Sequence, residues 1–407
     1  MSRRINILHI ISSWESGVGN ELAAFAARLA ADGFDGEFEN EICVLANSTI
    51  HRQTPNVPTT TLGMRWSFDV STYLGVRRII RRFRPDVIHV WDNTSQMYAS
   101  QMYIAPHHGT QRIIAERRDT DIPAGMLQKH IDKKTHRFIV PRNLAPWHLA
   151  PWKGGDCPKT VVIPPAAVPA PYSAPMPAEE LLEKLDIPMV QPSGDYYPVF
   201  QSQYEPERRN YKPIPTHSTP FLIGVVLPLC SEHRILDALW VFETMSHVHL
   251  NYHAFFIGDG KDSEECLRYR DRWKLFSRVH FFGNHRFGNQ CTVHRLLPSC
   301  DVLLHLSPSA EHSGTILSAM SYGVPVIALE TPESREYISD GTTGLLVPCN
   351  GDFRFYRRTT AKKLLYLLEN TELRRSMQSA SKERVAREYN FDTAVQKRVE
   401  LYRQIHK

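Results

Sequence analysis

One stretch in the last third of the chain, Ser307–Asn350, restricts the fold more than any other part of the sequence. A short apolar strand, Val302–Leu306, precedes it, and the small residues 313–315 then open a helix. We expect that helix to end at Gly323, because glycine readily takes the left-handed conformation found just past a helix end. An apolar strand, Val324–Leu329, follows at once. This strand–helix–strand order predicts a parallel α/β sheet.

The same stretch contains a candidate ligand site. Glu311 and His312 lie between the carboxyl end of the predicted strand and the start of the predicted helix. Open α/β sheets bind ligands at this edge, and the free N–H groups of a helix start favour a phosphate. We therefore expect Glu311, together with the backbone amides of Gly314 and Thr315, to face a phosphorylated ligand.

Strand and helix signals alternate through two parts of the 407-residue chain. Residues 1–168 form one such part and residues 220–390 another, and each predicts a Rossmann-like domain with a parallel sheet. The stretch between them, 169–219, has ten of the 28 prolines and is interpreted as a linker with an irregular insertion at about 190–219. A terminal helix, 391–407, is expected to cross back to the first domain. A ligand is expected in the cleft between the two domains.

Composition adds limits on location and on partners. The net charge of +5 is compatible with anionic ligands or an acidic membrane surface and requires neither. The seven cysteines have no disulfide or metal spacing, which favours a reducing compartment. No apolar run reaches the ~20 residues of a membrane span, and the start of the chain resembles a core strand more than a secretion signal. We expect a cytoplasmic protein that does not bind nucleic acid.

Several segments, in order, resemble the family 4 glycosyltransferases. They are INILHIISSWESGVGNELAAFAARLA, RPDVIHVWD, KTVVIPPAAV, FFIGDGKD, VHFFGN, DVLLHLSPSAEHSGTILSAMSYGVPVIA, DGTTGLLVP and the terminal helical segment. The resemblance implies the GT-B fold, in which two doubly wound Rossmann-like domains face each other across a cleft. It also implies transfer of a sugar from a nucleotide-diphosphate donor with retention of anomeric configuration. The resemblance implies no metal, no cofactor and no dedicated protein nucleophile; the donor's own phosphate is expected to help deprotonate the acceptor.

The resemblance implies a donor site in the second domain, from which this sequence departs at two places. The family has two glutamates separated by seven intervening residues; Glu311 matches the first, but the segment is one residue short and Ser318 stands where the second is expected. In the family, the second glutamate accepts hydrogen bonds from the ribose of the nucleotide. The loss of a charged hydrogen bond is expected to weaken the binding free energy of the donor by roughly 1.5–3 kcal/mol. The family also grips the diphosphate with an arginine and a lysine, and here Pro228 and His233 occupy those positions. Arg234, next to His233, is a candidate substitute.

Further candidate residues follow from the same comparison. Arg117, after the strand at 112–116, is a candidate for contact with the donor phosphates or an anionic acceptor; the alternative is an exposed arginine. Gly17 and Gly19 fit a loop that approaches a ligand, and a tight turn explains them almost as well. The remaining candidate donor contacts are Gly258, Gly260, His312 and Ser313.

Two functions from different classes remain open at this point. The first is an active retaining glycosyltransferase acting on a glycan, lipid-linked or small-molecule acceptor. The second is a protein of the same fold that binds sugar or nucleotide without transfer, as the losses at Pro228, His233 and Ser318 indicate. An epimerase or phosphorylase of this fold is a third reading that the terminal motifs do not favour. The arginines at 77–84 are either a solvated helix face or a contact with anionic lipid on the inner face of a membrane.

Overall fold

The computed structural model has two parallel sheets, each flanked by helices. It describes residues 4–14, 18–31, 34, 36–47, 56–65, 69–102, 112–116, 135–140, 160–168, 177–184, 220–248, 251–282, 292–308, 313–349 and 352–406. Its contacts divide the chain into two compact units. The first comprises Met1–Pro169, Ser309–Ser318 and Val385–Lys407, and the second comprises Ala170–Pro308 and Ala319–Arg384.

The first sheet has the order β3-β2-β1-β4-β5-β6-β7, with all strands parallel. Its strands are β1 Ile5–Ile11, β2 Phe38–Val44, β3 Thr59–Thr61, β4 Val87–Val90, β5 Arg112–Glu116, β6 Arg137–Val140 and β7 Thr160–Val162. The helices of this part of the chain are α1 Gly19–Ala30, α2 Val70–Phe83 and α3 Asn93–Met102. The strand order reverses between β1 and β4. Apolar residues fill both faces, as expected for a parallel sheet covered by helices.

The second sheet has the order β10-β9-β8-β11-β12-β13 and is also parallel. Its strands are β8 Phe221–Val226, β9 Tyr252–Ile257, β10 Val279–Phe282, β11 Val302–His305, β12 Val326–Leu329 and β13 Gly344–Val347. The helices that follow are α4 Ala178–Lys184, α5 Ile235–Ser246, α6 Ser263–Arg272, α7 Thr292–Leu296, α8 Ser313–Tyr322, α9 Pro332–Tyr337, α10 Phe353–Glu369, α11 Thr371–Glu388 and α12 Phe391–His406. Here the strand order reverses between β8 and β11. Two parallel sheets of this kind confirm the predicted α/β, Rossmann-like architecture.

Local signals in the sequence account for most helix boundaries. Gly323 has a φ of +77° directly after α8, as its position past the helix end predicted. α10 begins at Phe353, where the Asp352 side chain accepts a hydrogen bond from the Arg354 N–H and caps the helix. α9 has a capping box between Thr331 and Ser334 that the sequence reading did not identify.

A buried ion-pair cluster ties α12 to the first sheet. Arg398 is 1% exposed, and its guanidinium donates to Glu116 Oε1 at 2.9 Å and to Glu21 Oε1 at 2.8 Å. Glu116 is the last residue of β5, so this carboxylate has a structural role directly before the candidate residue Arg117. On the same helix, the hydroxyl oxygen of Tyr402 lies 2.6 Å from His89 Nδ1, within hydrogen-bond distance. Phe391, Ala394, Val395 and Val399 of α12 join the apolar cluster of Ile7, Leu22 and Phe25.

We expect Arg398→Met to lower the free energy of unfolding by about 3–5 kcal/mol, because it leaves two carboxylates buried without their cation. Arg403→Gln is the matched control on the same helix. Arg403 pairs with Glu37 at 2.5 Å but is partly exposed, so its loss should cost at most about 1 kcal/mol. Urea unfolding followed by circular dichroism measures both variants.

Adding Glu21→Gln and Glu116→Gln to Arg398→Met should recover part of the loss, since the uncompensated charges are then removed. Equal effects of Arg398→Met and Arg403→Gln would contradict the assignment of the cluster as the anchor of α12.

Candidate functional site

The candidate site in the second unit lies where the strand order reverses, at the carboxyl ends of β8 and β11. These two strands are parallel neighbours, with Val302 opposite Ile223 and Leu303 opposite Gly224. Loops leave neighbouring strands in opposite directions at such a reversal, which opens a crevice at this edge. A hydrogen bond between His233 and Ser307 joins the two loops at this edge.

His233 and Ser307 join the two loops directly. His233 ends a single 3-10 turn, Ser231–His233, between β8 and α5, and its Nδ1 lies 3.0 Å from Ser307 Oγ. Ser307 follows β11 by two residues. Burial lowers the pKa of His233 below its ordinary value, and the nearby Glu232 charge opposes that shift only in part. The neutral imidazole is therefore the dominant form near pH 7.

Arg234 is the most constrained residue of the site. Its backbone is left-handed, with φ 56° and ψ 34°, and its carbonyl accepts hydrogen bonds from the N–H groups of Asp237 and Ala238 at the start of α5. Its guanidinium lies 4.7 Å from the centre of the Tyr356 ring and donates to Cys349 Sγ at 3.5 Å. No carboxylate among the described residues pairs with it. The result is a half-buried cation with donor capacity left over.

Gly258 and Gly260 support the loop that carries this cation. A Cβ at Gly258 would overlap the carbonyl oxygen of Leu227, and one at Gly260 would overlap the backbone of Leu229. The two loops are also bonded, because Leu229 donates to the Asp259 carbonyl at 3.1 Å. Both glycines were predicted as donor contacts; the structure places them under the β8–α5 loop, where only glycine fits.

His305, the last residue of β11, was not among the predicted site residues. It is 2% exposed, and its Nδ1 has no hydrogen-bond partner within the described residues. Burial, followed by the charge of His233, lowers the pKa of His305 to about 4. Its signal in the sequence was its position at a strand's carboxyl end, two residues before Ser307. Tyr356 and Cys349, which hold Arg234, gave no signal in the sequence.

α8 carries the candidates that follow β11 in the chain. Gly314 and Thr315 lie in its first turn and are half-buried, and the helix begins at Ser313. Ser318 is 9% exposed and donates from Oγ to the Gly314 carbonyl at 2.9 Å. Its hydroxyl proton is thus engaged within its own helix.

The remaining candidates are distributed as follows. Glu311, His312, Arg117 and Gly17 lie outside the described residues. Gly19 opens α1 in the first unit, where an added Cβ would lie 2.6 Å from the carbonyl oxygen of Trp14, so close backbone packing explains this glycine. Among the described residues, no three His, Cys, Asp or Glu side chains are grouped to hold a metal. No helix in that part of the chain is long and apolar enough to span a membrane.

Comparisons with known proteins agree with this geometry. Residues 225–370 match the family described as "Glycosyl transferases group 1". No curated protein sequence matches the chain at a significant level.

Solved structures resemble the whole chain. Anabaena Alr3699/HepE in complex with UDP-glucose has a TM-score of 0.71 and 16% identity over 98% of this chain and 100% of its own. Sucrose-phosphate synthase (tll1590) from Thermosynechococcus elongatus has a TM-score of 0.70 and 16% identity over 99% of each chain. A glycosyltransferase from Rickettsia africae ESF-5 has a TM-score of 0.67 and 16% identity over 100% of this chain and 99% of its own.

These likenesses extend over nearly the full length of both partners, while the family match covers the last two residues of β8, the strands β9 to β13 and all of α10. The identities are low, so the solved structures establish the fold, and the family match supplies the class of enzyme. The chain therefore has the GT-B fold, and its residues 225–370 match the model of the glycosyl transferases group 1, a family of transferases.

Proposed function

We propose that the protein is a retaining glycosyltransferase that moves a sugar from a nucleotide-diphosphate donor to a glycan, lipid-linked or small-molecule acceptor. The observation that carries the proposal is the Arg234 guanidinium at the carboxyl edge of the second sheet. It is half-buried, held by Tyr356 and Cys349, and unpaired with any described carboxylate. A cation in this state favours an anionic ligand, and the leaving group of a nucleotide-sugar donor is a diphosphate.

The proposed reaction breaks the bond between the anomeric carbon and the donor's phosphate oxygen. The acceptor oxygen bonds to the same carbon on the same face, and its proton passes to the departing phosphate. Arg234, His233 and the N–H groups of Gly314 and Thr315 stabilise the charge on the diphosphate. Glu311 and Ser318 hold donor hydroxyls, and Arg117 contacts the donor phosphates or an anionic acceptor. The chain's contribution is positioning and electrostatics, without a metal or a cofactor.

The base of the donor is proposed to be uracil. The Alr3699/HepE structure contains UDP-glucose, and that protein shares the fold over nearly its whole length. UDP is accordingly the first nucleotide to test, with GDP and ADP as comparisons.

A second function is favoured by the state of His233. Burial lowers its pKa, so the position that holds a lysine in the family is neutral near pH 7 here. The Ser318 hydroxyl donates a hydrogen bond to the Gly314 carbonyl and has no charge of its own. These two features favour a protein that binds a sugar or nucleotide and transfers it slowly or not at all.

Location and membrane contact are also proposals. We place the protein in the cytoplasm, in peripheral contact with the inner face of the membrane through α2. Val70 is 70% and Leu74 52% exposed on this helix, and Arg78 and Arg81 are exposed further along it. Exposed apolar and basic side chains on one helix suit an anionic lipid surface.

Calorimetric titration with UDP, GDP and ADP tests the donor site. We expect one nucleotide to bind in the micromolar range. Arg234→Ala and Glu311→Ala should each weaken it, the former by about 10- to 100-fold, because a charged hydrogen bond is worth about 1.5–3 kcal/mol. Arg268→Ala is the matched control, since this arginine is 72% exposed on α6 and pairs with Glu264. Absence of binding by all three nucleotides, or equal effects of Arg234→Ala and Arg268→Ala, would contradict the proposal.

The pH dependence of UDP binding tests His233. A bound diphosphate stabilises the protonated imidazole and raises its pKa above the lowered value of the free protein. Affinity should therefore rise as the pH falls from about 8 to about 6, and His233→Gln should lose this part of the dependence. Protonation of UDP itself affects both proteins equally, so the difference between them isolates His233.

His233→Lys restores a cation and should tighten UDP binding at about pH 8 by roughly tenfold. Parallel pH curves for the wild type and His233→Gln would show that His233 does not contact the diphosphate.

A further inference from the structure

The turn between α6 and β10, residues 272–278, exposes two large aromatic side chains. Its sequence is Arg-Trp-Lys-Leu-Phe-Ser-Arg. Trp273 is 48% and Phe276 61% exposed, and both lie between basic residues. We call residues 272–278 the aromatic–basic turn. Exposed apolar side chains that lie together and are rimmed by polar residues mark interaction sites.

The aromatic–basic turn is a defined structure. Trp273 N–H donates to the Tyr269 carbonyl at 3.1 Å, and Leu275 N–H donates to the Arg270 carbonyl at 2.9 Å. Leu275 is 1% exposed and anchors the turn in the core, while Lys274 takes the left-handed conformation with φ 53°. The two rings are therefore presented by an ordered backbone, and their exposure does not come from a fraying helix end.

The charge of the turn is uniformly positive. Arg272 and Lys274 are exposed, Arg278 is half-buried, and residues 272–278 contain no Asp or Glu. The nearest acidic residue in the chain, Asp271, accepts a hydrogen bond from Arg270 Nε at 2.7 Å. Residues 270–278 contain three Arg, one Lys and one Asp, which gives the segment a formal net charge of +3.

The turn is separate from the candidate donor site. It leads directly into Val279, the first residue of β10, so it lies at the amino edge of the second sheet. His233 and Ser307 lie at the carboxyl edge of that sheet. β10 is also the outermost strand, so the turn sits at a corner of the sheet.

We propose that the aromatic–basic turn binds an anionic phospholipid surface. Trp and Phe rings enter the boundary between headgroups and acyl chains, where an amphipathic indole is favoured, and the exposed Arg272 and Lys274 meet lipid phosphates. A lipid surface is favoured over an acidic protein for a physical reason. Two exposed rings can insert into lipid directly, whereas a protein partner would need a matching pocket for each ring. The proposal does not depend on sugar transfer.

Cosedimentation of the full chain with vesicles tests this surface. One set of vesicles is phosphatidylcholine alone, and the other contains equal parts phosphatidylcholine and phosphatidylglycerol. We expect binding to the anionic vesicles that falls by at least about tenfold in Trp273→Ser/Phe276→Ser and in Arg272→Gln/Lys274→Gln. The control is Tyr366→Ser, which removes one ring that is 54% exposed on α10 and should change binding by less than about twofold.

Quenching of tryptophan fluorescence by brominated lipid is a second measurement of membrane insertion, and it uses the conservative variant Trp273→Phe. The quenching of the wild type minus that of Trp273→Phe reports the depth of this one ring, and we expect a clear difference with anionic vesicles. The proposal is overturned by no binding to anionic vesicles, by no quenching difference, or by equal losses in the control. It is also overturned if Arg78→Gln/Arg81→Gln on α2 abolishes binding while the turn variants bind normally. Binding to soluble poly-aspartate that depends equally on Trp273 and Phe276 would indicate an acidic protein partner instead.

Discussion

Parallel strands place all of their carboxyl ends on one edge of a sheet, and this constraint determines where the second unit can bind a ligand. Where the order reverses between β8 and β11, two loops leave the edge in opposite directions. The His233–Ser307 hydrogen bond joins those loops, and Arg234 follows at the start of α5. The chemistry proposed for the chain depends on this one arrangement, because a diphosphate needs cations and N–H donors at a common point.

Loop packing makes that point rigid. The absence of side chains at Gly258 and Gly260 lets one loop lie directly against the backbone of Leu227 and Leu229. The loop continues from Leu229 to His233 and Arg234. The backbone of Arg234 is left-handed, which is strained for a residue with a side chain. Tyr356 then fixes the guanidinium from α10. A cation positioned before the ligand arrives loses little conformational freedom on binding, which favours electrostatic stabilisation of a leaving group.

The sequence predicts the features that depend on local patterns. The alternating strands, the helix ending at Gly323 and the loop that contains His233 follow from hydrophobic periodicity and turn residues. Contacts between distant residues could not be predicted in this way. Arg398 meets Glu21 and Glu116 across more than half of the chain, and Arg234 meets Tyr356 only once α10 is packed on α5. Sequence position also could not tell whether Gly258 and Gly260 serve a ligand or a neighbouring loop.

A crystal structure of the protein with UDP measures the central claim most directly. We expect the diphosphate at the carboxyl edge of the second sheet, with its oxygens within hydrogen-bond distance of the Arg234 guanidinium and His233. The Arg234 side chain should remain over Tyr356, since the cation is already in place. UDP bound at another edge of either sheet, or a diphosphate that contacts neither side chain, would contradict the assignment of this site as the donor site.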